Sequence, residues 1–152
     1  NMTAWGILET ANDLPSAPKE LSIFTTEGYY RGDGCRLRRF TVRADGFVSV
    51  NAPLRDGELL TRALTFEGNQ LSLNVATSAA GSVRVEIQEE NGKAIKGFVL
   101  RDADEIYGDE LDRRVTWKGS GDVSSLAGKP VRLRFVLSDA DLYSLQFVAT
   151  PA

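Results

Sequence analysis

The chain has no histidine, a single cysteine and no apolar run approaching the roughly 20 residues that a membrane-spanning helix needs. Each absence removes a class of chemistry. Without histidine the chain cannot by itself build a Ser-His-Asp triad, a Cys-His pair, an H-E-x-x-H zinc site or a two-His facial triad. Cys35 has no partner for an intramolecular disulfide, so packing rather than cross-linking must hold the fold. Positive charge is also scarce: 18 Lys+Arg stand against 21 Asp+Glu, a formal charge of −3 with a pI of about 5.1. That balance gives no footprint for a phosphate backbone, so neither nucleic acid nor a membrane is an expected partner. The chain opens on Asn1 without a signal-peptide pattern, as expected for a piece of a longer protein.

What is present is alternation. Leu71, Leu73 and Val75, then Val83, Val85 and Ile87, then Val131, Leu133, Phe135 and Leu137 recur at period two with polar residues between them. This is the pattern of strands with one face in the core and one outside. Further strands are expected over 4–9, 20–26, 36–43, 47–51, 58–66, 93–100, 112–118 and 143–150. Asp45-Gly46 and Asn91-Gly92 offer the positive φ of tight hairpins. One helical turn is expected over 122–128, with Asp122 capping its start and Gly128 its end. Short, regularly punctuated strands predict an all-β fold, an antiparallel β-sandwich of jelly-roll type with extra N-terminal strands. A composition shift around Ala52-Pro53 divides an N-terminal annex, 1–52, from a sandwich domain, 53–152.

The densest polar cluster holds Asp102, Asp104, Glu105, Asp109, Glu110 and Asp112. Hard oxygen ligands in a loop suit Ca2+, and Asp102, Asp104 and Asp109 are the candidate ligands of a structural calcium site. The other reading is a solvated acidic loop answered by Arg101, Arg113 and Arg114. No cofactor is otherwise required. Asp-Ala-Asp at 102–104 recurs at 139–141, from two equivalent strand ends or from repeated turn chemistry. The basic cluster Arg36, Arg38 and Arg39 reads as a strand face paired with acidic neighbours or as an anionic-sugar contact.

Several segments carry a resemblance: Asn1-Met2-Thr3-Ala4-Trp5-Gly6-Ile7, Arg36-Leu37-Arg38-Arg39-Phe40-Thr41-Val42, Ser82-Val83-Arg84-Val85-Glu86-Ile87, Glu105-Ile106-Tyr107-Gly108-Asp109 and Val131-Arg132-Leu133-Arg134-Phe135. Together they resemble the C-terminal region of bacterial, planctomycete-type proteins related to glycoside hydrolase family 32. In that family a β-propeller carries the catalytic carboxylates and a β-sandwich packs on it. The resemblance implies the sandwich plus the end of a propeller or linker over 1–52, with no catalytic residue to carry over. It further implies a non-catalytic, carbohydrate-associated accessory domain with an extracellular or periplasmic location. Its expected partners are a polysaccharide or oligosaccharide and a catalytic propeller; the alternative is a structural docking domain without sugar affinity.

In a carbohydrate context aromatic rings are the natural contacts, because a flat π-face covers the C–H face of a sugar while polar groups meet its hydroxyls. The candidates are Tyr29, Tyr30, Tyr107 and Trp117. Tyr29 and Tyr30 lie in a glycine-rich turn where two adjacent rings cannot both face inward, so at least one is exposed. Trp117 alternates with Val115 and Leu111 and reads first as a core residue, and Trp5 as a core or interface residue.

Overall fold

The computed structural model describes residues 2–15 and 17–149. The fold is all-β, and the described residues form nine strands in two antiparallel sheets: β1 Met2–Thr3, β2 Leu8–Thr10, β3 Glu20–Glu27, β4 Arg36–Arg43, β5 Val50–Ala52, β6 Gly57–Leu60, β7 Gln70–Glu89, β8 Asp109–Arg114 and β9 Val131–Val148. Among the described residues helix is confined to single 3-10 turns. One is the expected turn, now Ser124–Leu126, entered through an Asp122 carboxylate that accepts the Ser124 N–H at 2.8 Å and left through Gly128 at φ +74°.

The chain divides into two compact units between Val48 and Ser49 rather than after Ala52. The boundary moves because β5 pairs with β9 and carries Ala52 into the core of the C-terminal unit. For the same reason Asp45-Gly46 does not close a hairpin: β4 pairs with β3, and the strand that follows the turn belongs to the other sheet.

In the N-terminal unit β3 is central, with β4 along one edge and β1 and β2 sharing the other. The expected strand over 4–9 splits there at Gly6, whose φ of +96° no strand residue adopts. Among the described residues of this unit only Ser22 is buried, and it sits inside a polar network. Arg39 donates to the Ser22 hydroxyl at 2.8 Å, to Thr10 at 2.9 Å and to Glu20 at 2.6 Å. Arg36 and Arg38 pair with Glu27, so all three arginines have the acidic partners of the ordinary reading.

In the C-terminal unit the sequence's separate strands fuse. The alternating runs at 71–75 and 83–87 are one strand, β7, and those at 131–137 and 143–148 are one strand, β9, paired from Gln70↔Val148 to Glu89↔Val131. Residues 78–81 stand opposite Asp139 alone, between the pairs Thr77↔Ala140 and Ser82↔Ser138. This large bulge interrupts a ladder too long for one flat ribbon. Asp139 adopts φ +42° and its N–H donates to Pro53 at 3.0 Å. The Asp-Ala-Asp repeats are therefore not equivalent strand ends: 139–141 is interior to β9, whereas 102–104 leaves a 3-10 turn. The expected strand over 93–100 makes a bridge at Ala94 and then turns, because Gly97 takes φ +93°. The strand expected over 112–118 begins earlier, at Asp109, and ends at Arg114.

Every buried hydrophobic side chain among the described residues lies between Ala52 and Leu142. Leu71, Leu73, Val83, Val85 and Ile87 of β7 meet Leu133, Phe135 and Leu137 of β9 there.

On the opposite face, cross-strand neighbours Glu86 and Arg134 anchor a polar cluster. The Glu86 carboxylate accepts from Gln88 Nε2 at 2.8 Å, from Leu100 N–H at 2.9 Å and from Arg134 Nη1 at 3.5 Å, while Arg134 Nη2 reaches Glu58 at 2.8 Å. Burial opposes ionisation of Glu86, but these donors outweigh it and hold its pKa below the ordinary glutamate value of 4.5. A lowered folded-state pKa adds stability above the unfolded value and loses it as pH falls through the folded one. Glu86→Ala is expected to cost about 2 kcal/mol at neutral pH, the scale of hydrogen bonds to a buried charged group. Denaturant titrations at neutral pH and below 4.5 check both the loss and the flatter acid-side profile of the variant; an unchanged profile would refute the assignment.

Candidate functional site

The chain reversal between β3 and β4 builds a concavity in the N-terminal unit. The last ladder pair is Glu27↔Arg36, and the loop then folds back on itself. Arg31 N–H donates to the Gly28 carbonyl at 2.8 Å, so Gly28–Arg31 is a β-turn with Tyr29 and Tyr30 at its two central positions. Central turn residues project away from the chain they connect, which is why neither ring is buried: Tyr29 is 47% exposed and Tyr30 93%. Gly28 cannot be replaced there without strain. It has φ +65°, and a Cβ would meet the Gly34 carbonyl oxygen at 2.6 Å. A 3-10 turn at Gly32–Gly34 completes the reversal, its end closed by Cys35 N–H on Gly32 O at 2.9 Å.

The two rings meet edge to face with centroids 4.8 Å apart. They line an open hollow of about 690 Å3 with Met2, Glu27, Arg31 and Arg36. Glu27 accepts from Arg36 Nε at 2.7 Å and faces Arg38 at 3.2 Å, so its charge is answered, while Arg31 has no ion-pair partner among the described residues. The hollow thus combines aromatic edges and faces with one paired carboxylate and two guanidinium groups, donors and acceptors of the kind that sugar hydroxyls need. Glu27 and Arg31 were not candidates from sequence. The signal was available in the strand register, because Glu27 stands one residue before the turn and opposite Arg36.

The other candidates lie elsewhere. Tyr107 is 66% exposed beside Glu105 and the 79–82 segment in the C-terminal unit. Trp117 is only 3% exposed; its indole N–H donates to the Val85 carbonyl at 2.8 Å and its ring meets Phe98 edge to face. It is a core residue and offers no exposed platform for a sugar. Trp5, expected in a core or interface, is fully exposed, which removes the core reading.

The acidic loop is not assembled into one site. Asp102 takes Lys118 Nζ at 2.9 Å, whereas Asp104 accepts from the Thr116 hydroxyl and from Gly119 N–H at 2.8 Å. Those hydrogen bonds, Thr116 first, hold the Asp104 pKa below its ordinary value. Asp109 opens β8, opposite Ala76. Among the described residues no three acidic or cysteine side chains gather closely enough to share a metal ion.

No family model, curated protein or solved structure matches the chain.

Proposed function

We propose that this chain is a non-catalytic, carbohydrate-associated accessory domain that meets its saccharide through the Tyr29–Tyr30 turn. The observation that carries the reading is the placement of two adjacent rings at the centre of one β-turn, both solvent-accessible and bordering a polar hollow. An aromatic pair at the rim of a groove supplies apolar contact at small entropic cost, and Glu27, Arg31 and Arg36 supply polar complement. The resemblance to proteins related to glycoside hydrolase family 32 gives the same carbohydrate context.

A second reading has its own observation. Met2, Trp5, Ile7, Leu8, Leu37, Phe40, Phe47 and Val48 of the N-terminal unit are all exposed, and among its described residues no large apolar side chain is buried. A sheet with this surface suits docking against a catalytic propeller, with no sugar affinity of its own.

Affinity electrophoresis through gels containing fructan, xylan, arabinan or other polysaccharides separates the two. We expect retardation by at least one polysaccharide, weakened roughly tenfold in Tyr30→Ala, which corresponds to about 1.4 kcal/mol of ring contact. Free migration through every gel would leave docking as the function.

A further inference from the structure

A second concavity, in the C-terminal unit, is basic although its surroundings are acidic. It encloses about 550 Å3 and is lined by Lys96, Arg101, Lys118, Asp102 and the edge of Trp117, with small residues between them. Three cations against one carboxylate make this wall net positive, in a chain whose formal charge is −3.

Backbone hydrogen bonds fix where the cations stand. Ile95–Phe98 is a turn closed by Phe98 N–H on Ile95 O at 3.0 Å, with Gly97 at φ +93° as its third residue. Both ends of that turn are bonded to Ile87, through Ile95 N–H on Ile87 O and Ile87 N–H on Phe98 O, each at 2.9 Å. Lys96 thus occupies the tip of an anchored turn. Lys118 is pinned as firmly: its N–H donates to Asp102 O at 2.9 Å, and the adjacent Trp117 bridges to Ala103. The half-buried Asp102 carboxylate then draws Lys118 Nζ to 2.9 Å and Arg101 Nε to 3.8 Å. One negative charge therefore gathers two positive ones, and Lys96 has no ion-pair partner among the described residues. Among the described residues no further carboxylate pairs with the remaining positive charge.

We propose that this cleft binds an anionic group, a carboxylate or a sulfate, carried on an acidic polysaccharide. The anionic specificity comes from the cleft itself; the saccharide as its carrier rests on the reading in the previous subsection. Ammonium and guanidinium groups at the cleft mouth contribute charge-assisted hydrogen bonds to such a group. Because these cations are solvent-exposed, the attraction is strongly screened by salt.

The test is affinity electrophoresis of the whole chain in polygalacturonate, in a sulfated galactan and in neutral dextran, alongside Lys96→Glu/Lys118→Glu, Lys96→Gln and Tyr30→Ala. At about 50 mM salt, retardation is expected in at least one acidic gel, and which one identifies the anion; raising salt to about 300 mM should reduce it. The double variant should lose at least fivefold of that retardation and Lys96→Gln about twofold, with Tyr30→Ala still retarded in the acidic gel. An unaltered melting curve confirms that each variant is folded. Acidic-gel retardation that survives both lysine variants overturns the proposal, as does retardation by neutral polysaccharides alone, which would leave the Tyr29–Tyr30 reading standing. Free migration in both acidic gels overturns it as well.

Discussion

Phe135→Ala is expected to destabilise the protein by about 3–5 kcal/mol, the range for truncating a fully buried aromatic side chain. Phe135 is the largest of the fully buried side chains and lies on β9 opposite Val85. Leu133 and Leu137 flank it on the same face, and both are rigidly paired to β7, through Ile87 and Val83. A sheet held by ladder bonds on both sides cannot collapse into the vacated space, so the cavity persists and most of its cost is retained. For a unit of this size the loss lowers Tm by on the order of 15–20 °C. Val136→Ala, one residue away on the half-buried face, should cost about 1 kcal/mol or less. Chemical denaturation of the two variants measures the contrast; similar small losses at both sites would mean that Phe135 does not lie in the core.

Gly81→Ala should cost about 2 kcal/mol or more although it adds a single methyl group. Gly81 is buried where the bulge of β7 faces Asp139. A Cβ there would press against the Asp139 carbonyl oxygen and lie 2.8 Å from that of Ser138. Those atoms are main chain and cannot rotate away. Relief requires moving β9, and with it the Ser82↔Ser138 and Val83↔Leu137 pairs. Ala80→Gly, at an exposed position beside it, controls for backbone freedom in the same segment. Hydrogen exchange at Val83, whose N–H donates to Ile106 O at 2.8 Å, should accelerate selectively in Gly81→Ala. Unchanged protection there, with unchanged stability, would show that the bulge yields easily.

The sandwich was legible because alternation is a local signal: Val83, Val85 and Ile87, or Leu133, Phe135 and Leu137, announce an inward face within a few residues. The fusion of these runs into two long strands was not, since it depends on Gly81 meeting Asp139 across the sheet. The turn at Tyr29–Tyr30 was legible for the complementary reason, as adjacent rings between glycines leave no inward geometry for both. Alternation with Val115 already pointed Trp117 toward the core, where it lies; its hydrogen-bond partner, the Val85 carbonyl on another strand, was not legible. The partners within the acidic loop were likewise not legible. Asp102 and Asp104 look like free ligands in the sequence, yet Lys118 and Thr116 satisfy them from beyond β8.

The pairing of β7 with β9 also governs how the molecule is made. Its innermost pair, Glu89↔Val131, encloses the entire segment containing β8, so nearly all the core contacts are distant in sequence. Closing that segment costs entropy before any burial repays it, and folds dominated by such pairings assemble slowly. During synthesis β7 emerges from the ribosome carrying Leu71, Leu73, Val75, Val83, Val85 and Ile87 while β9 is still untranslated. For that interval the nascent chain presents an unsatisfied strand rich in β-branched and leucine side chains, a target for chaperones and for association with neighbouring chains. The polar residues Arg84, Glu86 and Gln88, which later form the polar face opposite the core, keep that strand hydrated until its partner arrives.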